Sequence, residues 1–138
     1  MTPPTPPRHP QLAVSAAIFR DGKLLLVRRA RSPAKGVYTL PGGRVELGET
    51  LHEAVAREVM EETALSIAIV GLAGWREVLP AQGGGHYVIL PFAARWQAGE
   101  PRLNPELDDF QWRLPDALEG LTLTDGLPEI IAAARTLV

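Results

Sequence analysis

The sequence predicts an α+β fold, a mixed β-sheet covered by helices, on three observations. Residues 12–19 and 23–29 are rich in apolar and β-branched side chains and are separated by Arg20-Asp21-Gly22; Asp-Gly between two such runs marks a hairpin. Thr50 is followed three residues later by Glu53, a capping box that opens a helix. Leu127, Ile130, Ile131 and Ala134 recur at helical spacing near the end of the chain, which reads as a second helix with one apolar face.

The remaining elements follow in order. Ser32-Pro33-Ala34-Lys35-Gly36 is a loop, residues 37–40 are a short strand, and Pro41-Gly42-Gly43 ends it. The capped helix should run to about Thr63, with Val55, Ala56, Val59 and Met60 as the side laid on the sheet. Residues 66–79 and 87–96 read as two long strands joined across 80–85, residues 110–113 as a short final strand, and Thr124 as the N-cap of the last helix. Two strand pairs close enough for hairpins, mixed with two helices, argue for a mixed sheet in an α+β or α/β/α sandwich rather than a doubly wound parallel sheet. Residues 1–11 carry five prolines and almost no apolar side chains; they read as a polyproline-like tail, and residues 12–138 as one domain.

Composition excludes several functions. Fourteen Lys plus Arg face sixteen Asp plus Glu, for a net charge of -2, so the chain lacks the basic footprint of a nucleic-acid binder. No cysteine is present, which rules out disulfides, a thiolate zinc site and a cysteine nucleophile and suits the reducing cytoplasm. No continuous apolar stretch reaches the roughly 20 residues of a bilayer-spanning helix, so no membrane partner is expected.

The informative segment is Leu40-Pro41-Gly42-Gly43-Arg44-Val45-Glu46-Leu47-Gly48-Glu49 and the helix carrying Arg57-Glu58-Val59-Met60-Glu61-Glu62. At about 100° per residue, Glu58, Glu61 and Glu62 fall on one side of that helix. Like charges at i, i+3 and i+4 repel by a few tenths of a kcal/mol per pair, so the cluster calls for cationic compensation. Arg57 supplies one charge, and Glu49 could pair with it bidentately if the loop folds back, leaving the three helix glutamates for a metal. Clustered carboxylates are hard oxygen ligands suited to Mg²⁺ or Mn²⁺. Such a site binds a diphosphate through the metal, so an acidic net charge is no obstacle.

Gly43, Glu49, Arg57-Glu58, Val59, Glu61-Glu62 and Leu65 resemble the Nudix box of the Nudix hydrolase family, here spanning residues 43–65. One position departs: Ala64 stands where the family has glycine, which would suit a left-handed helix end at a cost to alanine of about 1 kcal/mol. The resemblance implies a Nudix-like α/β/α sandwich and hydrolysis of a nucleoside diphosphate derivative with Mg²⁺ or Mn²⁺. It implies Glu58, Glu61, Glu62 and the Gly42 carbonyl as metal ligands, Arg57 and Glu49 as catalytic partners, and Glu58 or a loop acid such as Glu106 as the base. It points to a nucleotide substrate and, since family members often pair, to a homodimer.

Substrate signals are thinner. Family members resembling ADP-ribose pyrophosphatases have a proline fifteen positions past the box, and Pro80 lies fifteen past Leu65. Arg28, Arg29, Arg31 and Arg44 could reach a phosphate or ribose, though on an alternating strand only one of Arg28 and Arg29 can face the cleft. Tyr38, Trp75, Tyr87 and Phe92 read as packing residues and His86 as an exposed loop-edge histidine. ADP-ribose cleaved to AMP and ribose 5-phosphate is the leading substrate reading. The alternatives are a housecleaning nucleoside triphosphate pyrophosphatase and a nucleotide-sensing domain without turnover.

Overall fold

The computed structural model describes residues 9–80 and 84–138. The tail reading therefore lies outside the described residues for positions 1–8, as do positions 81–83 of the connection expected across 80–85. Gln11, counted with the tail, is instead the first residue of strand β1 (Gln11–Arg20). Asp21 and Gly22, with φ of 51° and 79°, close the tight turn to the antiparallel β2 (Lys23–Arg29), as two positive φ values in a two-residue hairpin loop require.

After β2 the order is β3 (Tyr38–Thr39), β4 (Gly42–Arg44), α1 (Leu51–Thr63), β5 (Ser66–Leu72), β6 (Arg76–Val78), β7 (Tyr87–Ala98), β8 (Leu107–Arg113) and α2 (Leu127–Arg135). The eight strands form one sheet along β3-β2-β1-β7-β5, with β4 on β1, β6 on β7 and β8 on β2. β1 and β7 run parallel through nine paired positions, whereas the other pairings are antiparallel. The sheet is thus mixed, as expected.

Alternation along the strands builds two cores. Val14, Ala16, Ile18, Leu25, Val27, Phe92 and Ala94 pack on one face with Ala54, Val55 and Val59 of α1. Ala17, Phe19, Leu24, Leu26 and Ala93 pack on the other with Leu127, Ile131 and Ala134 of α2. Both faces are covered, so the central strands read as continuous apolar runs. Each fully buried Val, Leu or Ile contributes about 1.5–3 kcal/mol. Burial is what commits these segments to the middle layer.

Several elements differ from the sequence reading. The strand expected over 66–79 breaks at Ala73-Gly74-Trp75, where Gly74 has a φ of 137° and Ala73 donates to the Pro91 carbonyl. Trp75, read as packing, is 64% exposed at that break. Gly42 and Gly43, read as ending a strand, instead open β4, which pairs with Ala13–Ser15 of β1. The final strand begins three residues early, at Leu107. Thr124 does not cap α2: its hydroxyl donates to the Tyr38 carbonyl at 3.1 Å, and Gly126 occupies the N-cap without a side-chain bond. On α1, Ala56 and Met60 face solvent and Ala54 is buried in their stead. His86 is half-buried, not exposed, with its Nε2 buried and unbonded.

Candidate active site

Two local features place the acidic helix over the glycine loop. The capping box forms fully: the Thr50 hydroxyl accepts from the Glu53 N–H and Glu53 accepts from the Thr50 N–H. That fixes where α1 begins. The hairpin partners then diverge, β2 pairing with β3 and β1 with β4, so Pro41-Gly42-Gly43 crosses from one to the other beneath α1. Glycine is required there by close approach. A Cβ on Gly42 would lie 2.1 Å from the Val14 carbonyl oxygen, and one on Gly43 would lie 2.4 Å from the Glu58 carboxyl carbon.

Arg57 is the hub of the site. Its Nε donates to Glu49 Oε2 at 2.6 Å and its Nη2 to Glu49 Oε1 at 2.9 Å, the bidentate pair anticipated from the sequence. Its Nη2 also donates to the Arg44 carbonyl at 3.0 Å, and its Nη1 reaches Glu58 at 2.8 Å and Glu61 at 3.4 Å. Hydrogen bonds from Arg57, then from the Glu46 N–H, hold the Glu49 carboxyl down to about 2. The reciprocal bond from Glu49 pushes Arg57 above its usual range. Glu58 is therefore not free, contrary to expectation, because the same guanidinium that holds Glu49 also holds it.

Glu62 is only 6% exposed and accepts from the Gly42 N–H at 2.7 Å. Burial pushes its carboxyl up to about 8; the Gly42 bond opposes this, while the charges of Glu58 and Glu106 add to it. Burial likewise raises Glu58, with the Arg57 hydrogen bond opposing. Glu106 thus stands close enough to be felt by both helix carboxylates. Its backbone is fixed by the Ala30 N–H bonding its carbonyl at 2.8 Å and by its own N–H donating to Asn104 Oδ1 at 3.1 Å.

Glu49, Glu58, Glu61, Glu62, Glu106 and Arg44 all line one open cleft of about 1110 Å³, together with Gly42 and Gly43. The three helix glutamates share this cleft but not a single point: among the described residues no three acidic or histidine side chains close on a common centre. Glu61 remains 55% exposed while Arg57 draws Glu58 toward Glu49.

Two expected residues lie elsewhere. Arg28 is bonded to Asp108 at 2.6 Å and stays out of the cleft. Arg29 takes its place, lining both the cleft and a smaller adjoining slot, with its Nε anchored on the Pro33 carbonyl at 2.9 Å. Counting alternation from the buried Leu25 and Val27 would have singled out Arg29. Pro80 is exposed and lines neither cavity. The slot, about 190 Å³, was not foreseen; Gly42 and Gly43 form the wall between it and the cleft, and Thr39, Arg76, Thr124 and Asp125 reach it from other elements. No helix of the described residues is long and apolar enough to cross a membrane.

The donor set fits a hard divalent cation. It offers only oxygen ligands, a Gly43 cradle shaped to the Glu58 carboxylate, and in Glu62 a buried carboxyl that no cationic side chain bonds among the described residues.

Comparison with known proteins agrees with this architecture. The family model described as NUDIX domain matches residues 9–134. The chain is 41% identical over 92 residues to an ADP-ribose pyrophosphatase of Methanocaldococcus jannaschii, covering 67% of this chain and 54% of that protein. It is 35% identical over 136 residues to the NAD-capped RNA hydrolase NudC of Edwardsiella ictaluri, covering 94% of this chain and 48% of that protein. The chain thus spans about half the length of the curated relatives it matches. Among solved structures, a MutT NUDIX hydrolase from Burkholderia pseudomallei superposes with a TM-score of 0.82 at 32% identity, covering 95% of this chain and 100% of that one. With the glycine loop, the acidic helix and the sandwich all in place, the chain belongs to the Nudix hydrolase family.

Proposed function

We propose that the chain hydrolyses the diphosphate bridge of a nucleoside diphosphate derivative, with ADP-ribose cleaved to AMP and ribose 5-phosphate. The observation that carries this reading is the cleft itself: Glu58, Glu61, Glu62 and Glu106 line it together with Gly42 and Gly43, and the buried Glu62 has no cationic side chain bonded to it among the described residues. A buried carboxylate such as Glu62 is costly alone and favourable once a divalent ion and a phosphate stand beside it. The 41% identity to an ADP-ribose pyrophosphatase supports the choice of substrate.

Glu58, Glu61, Glu62 and the Gly42 carbonyl would hold Mg²⁺ or Mn²⁺. The ion supplies neutralisation of phosphate charge and a lowered pKa for an attacking water. Arg57 keeps Glu58 and Glu49 in register. Arg29 and Arg44 orient the diphosphate from the cleft walls. Glu106 takes the proton as water adds to phosphorus and the P–O bond to the leaving phosphate breaks. The slot beyond Gly42-Gly43 receives part of the nucleoside.

The test is a substrate panel with each metal. AMP released from ADP-ribose, stopped by chelation, supports the reading. Pyrophosphate released from a modified dNTP with no AMP from ADP-ribose would overturn it in favour of a triphosphate pyrophosphatase. Binding without turnover would make the chain a sensor.

A further inference from the structure

Arg28 and Asp108 stand outside the cleft, yet they meet where the pairing of β2 with β8 loses its regular register. That pairing runs evenly from Leu24 with Arg113 to Arg28 with Asp109, and then Arg29 pairs with Leu107. Asp108 is skipped, the extra residue of a β-bulge. One inserted residue reverses which face of the sheet every side chain beyond it takes. Leu25 and Val27 of the α1 core pair with Trp112 and Phe110, so unbroken alternation would send Asp108 to that face and Leu107 to the opposite one. The bulge instead turns Leu107 into the α1 core, where it is buried, and leaves Asp108 at the surface.

Glu106 directly precedes Leu107 and inherits its placement. The turn that carries it is closed by the Leu107 N–H donating to the Asn104 carbonyl at 3.2 Å and tied to β2 by the Ala30 N–H donating to the Glu106 carbonyl at 2.8 Å. With Leu107 drawn under α1, Glu106 lines the cleft together with Glu58 and Glu62 of that helix.

Two donors hold the bulge from the side of β2 and β3. Arg28 Nε donates to Asp108 Oδ1 at 2.6 Å, and the hydroxyl of the buried Tyr38 donates to Asp109 Oδ2 at 2.5 Å. Tyr38, Arg28 and Asp109 form one row across three strands, with the Arg28 guanidinium carbon 5.7 Å from the centre of the Tyr38 ring. Arg28 and Asp108 are both part-exposed, so their pair adds little to global stability. A short charge-assisted bond nevertheless fixes geometry, and its effect falls on where the neighbouring turn sits.

We propose that Arg28 and Asp108 are positioning residues, their ion pair holding the bulge that presents Glu106 to Glu58 and Glu62. This rests on the hydrolytic reading of the cleft and on Glu106 as the proton acceptor. The sequence offered Arg28 as a ligand for phosphate; here it acts on the substrate only through Asp108 and Glu106.

The experiment measures ADP-ribose turnover with Mg²⁺ for the wild-type chain, Asp108→Ala, Asp108→Asn, Glu106→Gln and the Asp108→Ala, Glu106→Gln double variant, with amide hydrogen exchange at Ala30 followed by NMR. Asp108→Ala should lower kcat about ten-fold with KM and melting midpoint nearly unchanged, and Asp108→Asn, which keeps an acceptor for Arg28, should recover most of the loss. Glu106→Gln should lower kcat about 100-fold or more, and the double variant should be no slower than Glu106→Gln alone, because Asp108 acts through Glu106. Ala30 should exchange about ten-fold faster in Asp108→Ala, measured against the amides of β1. Losses that multiply in the double variant, an unchanged kcat in Asp108→Ala or in Glu106→Gln, or unchanged exchange at Ala30 would each overturn the proposal. A wild type without ADP-ribose turnover sinks the hydrolytic reading by itself; exchange at Ala30 then decides the clamp, upheld if Asp108→Ala speeds it and overturned if not.

Discussion

Glu62 concentrates the conflict between stability and chemistry. Its carboxyl is ordinary in the unfolded chain and raised to about 8 in the fold, so the folded state favours the protonated form. Stability from this group is complete below about pH 4.5 and drains away as pH rises toward 8. Glu62→Gln keeps an acceptor for the Gly42 N–H and removes the charge. In chelator, the variant should match the wild type near pH 5 and exceed it by on the order of a few kcal/mol at pH 8.5, while losing nearly all turnover. Urea melts at the two pH values check this; a wild type that gains on the variant as pH rises would contradict it. Arg57 makes the complementary case. Its five donors serve Glu49, Glu58, Glu61 and the Arg44 carbonyl at once, a fork that lysine cannot reproduce. Arg57→Lys should lower kcat by at least about ten-fold with little change in thermal midpoint, as steady-state kinetics beside a melting curve will decide.

At the scale of elements, the end of α1 shows what one substitution costs. Ala64 takes the left-handed conformation, φ 61° and ψ 21°, and its N–H bonds the Met60 carbonyl. The left-handed end that glycine would suit is kept with alanine in place. Ala64→Gly should therefore stabilise the fold by about 1 kcal/mol, read as a shift in urea midpoint without a change in slope. The glycine loop gives a sharper contrast. Gly43→Ala would press its methyl into the Glu58 carboxylate, a side chain that can move, so activity should fall about 100-fold or more while the chain still folds. Gly42→Ala would press into the Val14 carbonyl at 2.1 Å, which is backbone and cannot yield, so stability should fall by about 3 kcal/mol or more. Circular dichroism melts of both variants, with activity, separate the two outcomes.

At the scale of the whole molecule, the sheet brings together groups far apart in sequence: Gly42 with Glu62, and both with Glu106 across the loop before β8. A divalent ion that binds only the assembled cleft should raise the unfolding free energy by about 2.7 kcal/mol at a hundred times its dissociation constant. The gain in midpoint should be smaller in Glu62→Gln. An equal metal-induced shift in both proteins would place the ion elsewhere.

Local chemistry was legible in the chain itself. The Asp21-Gly22 turn, the Thr50 and Glu53 box, and the Glu49 to Arg57 pair each depend on residues a few positions apart, and each appears as read. What could not be read was governed by packing between distant segments. The break at Gly74, the pairing of Gly42–Arg44 with β1, and the displacement of Thr124 from the helix cap to the Tyr38 carbonyl all arise from neighbours that only the fold supplies. The same holds for the choice of Arg29 over Arg28 in the cleft and for the slot behind it. Spacing along a helix fixes which side chains share a face, but burial and the approach of another strand decide which of them are drawn together and which are held apart.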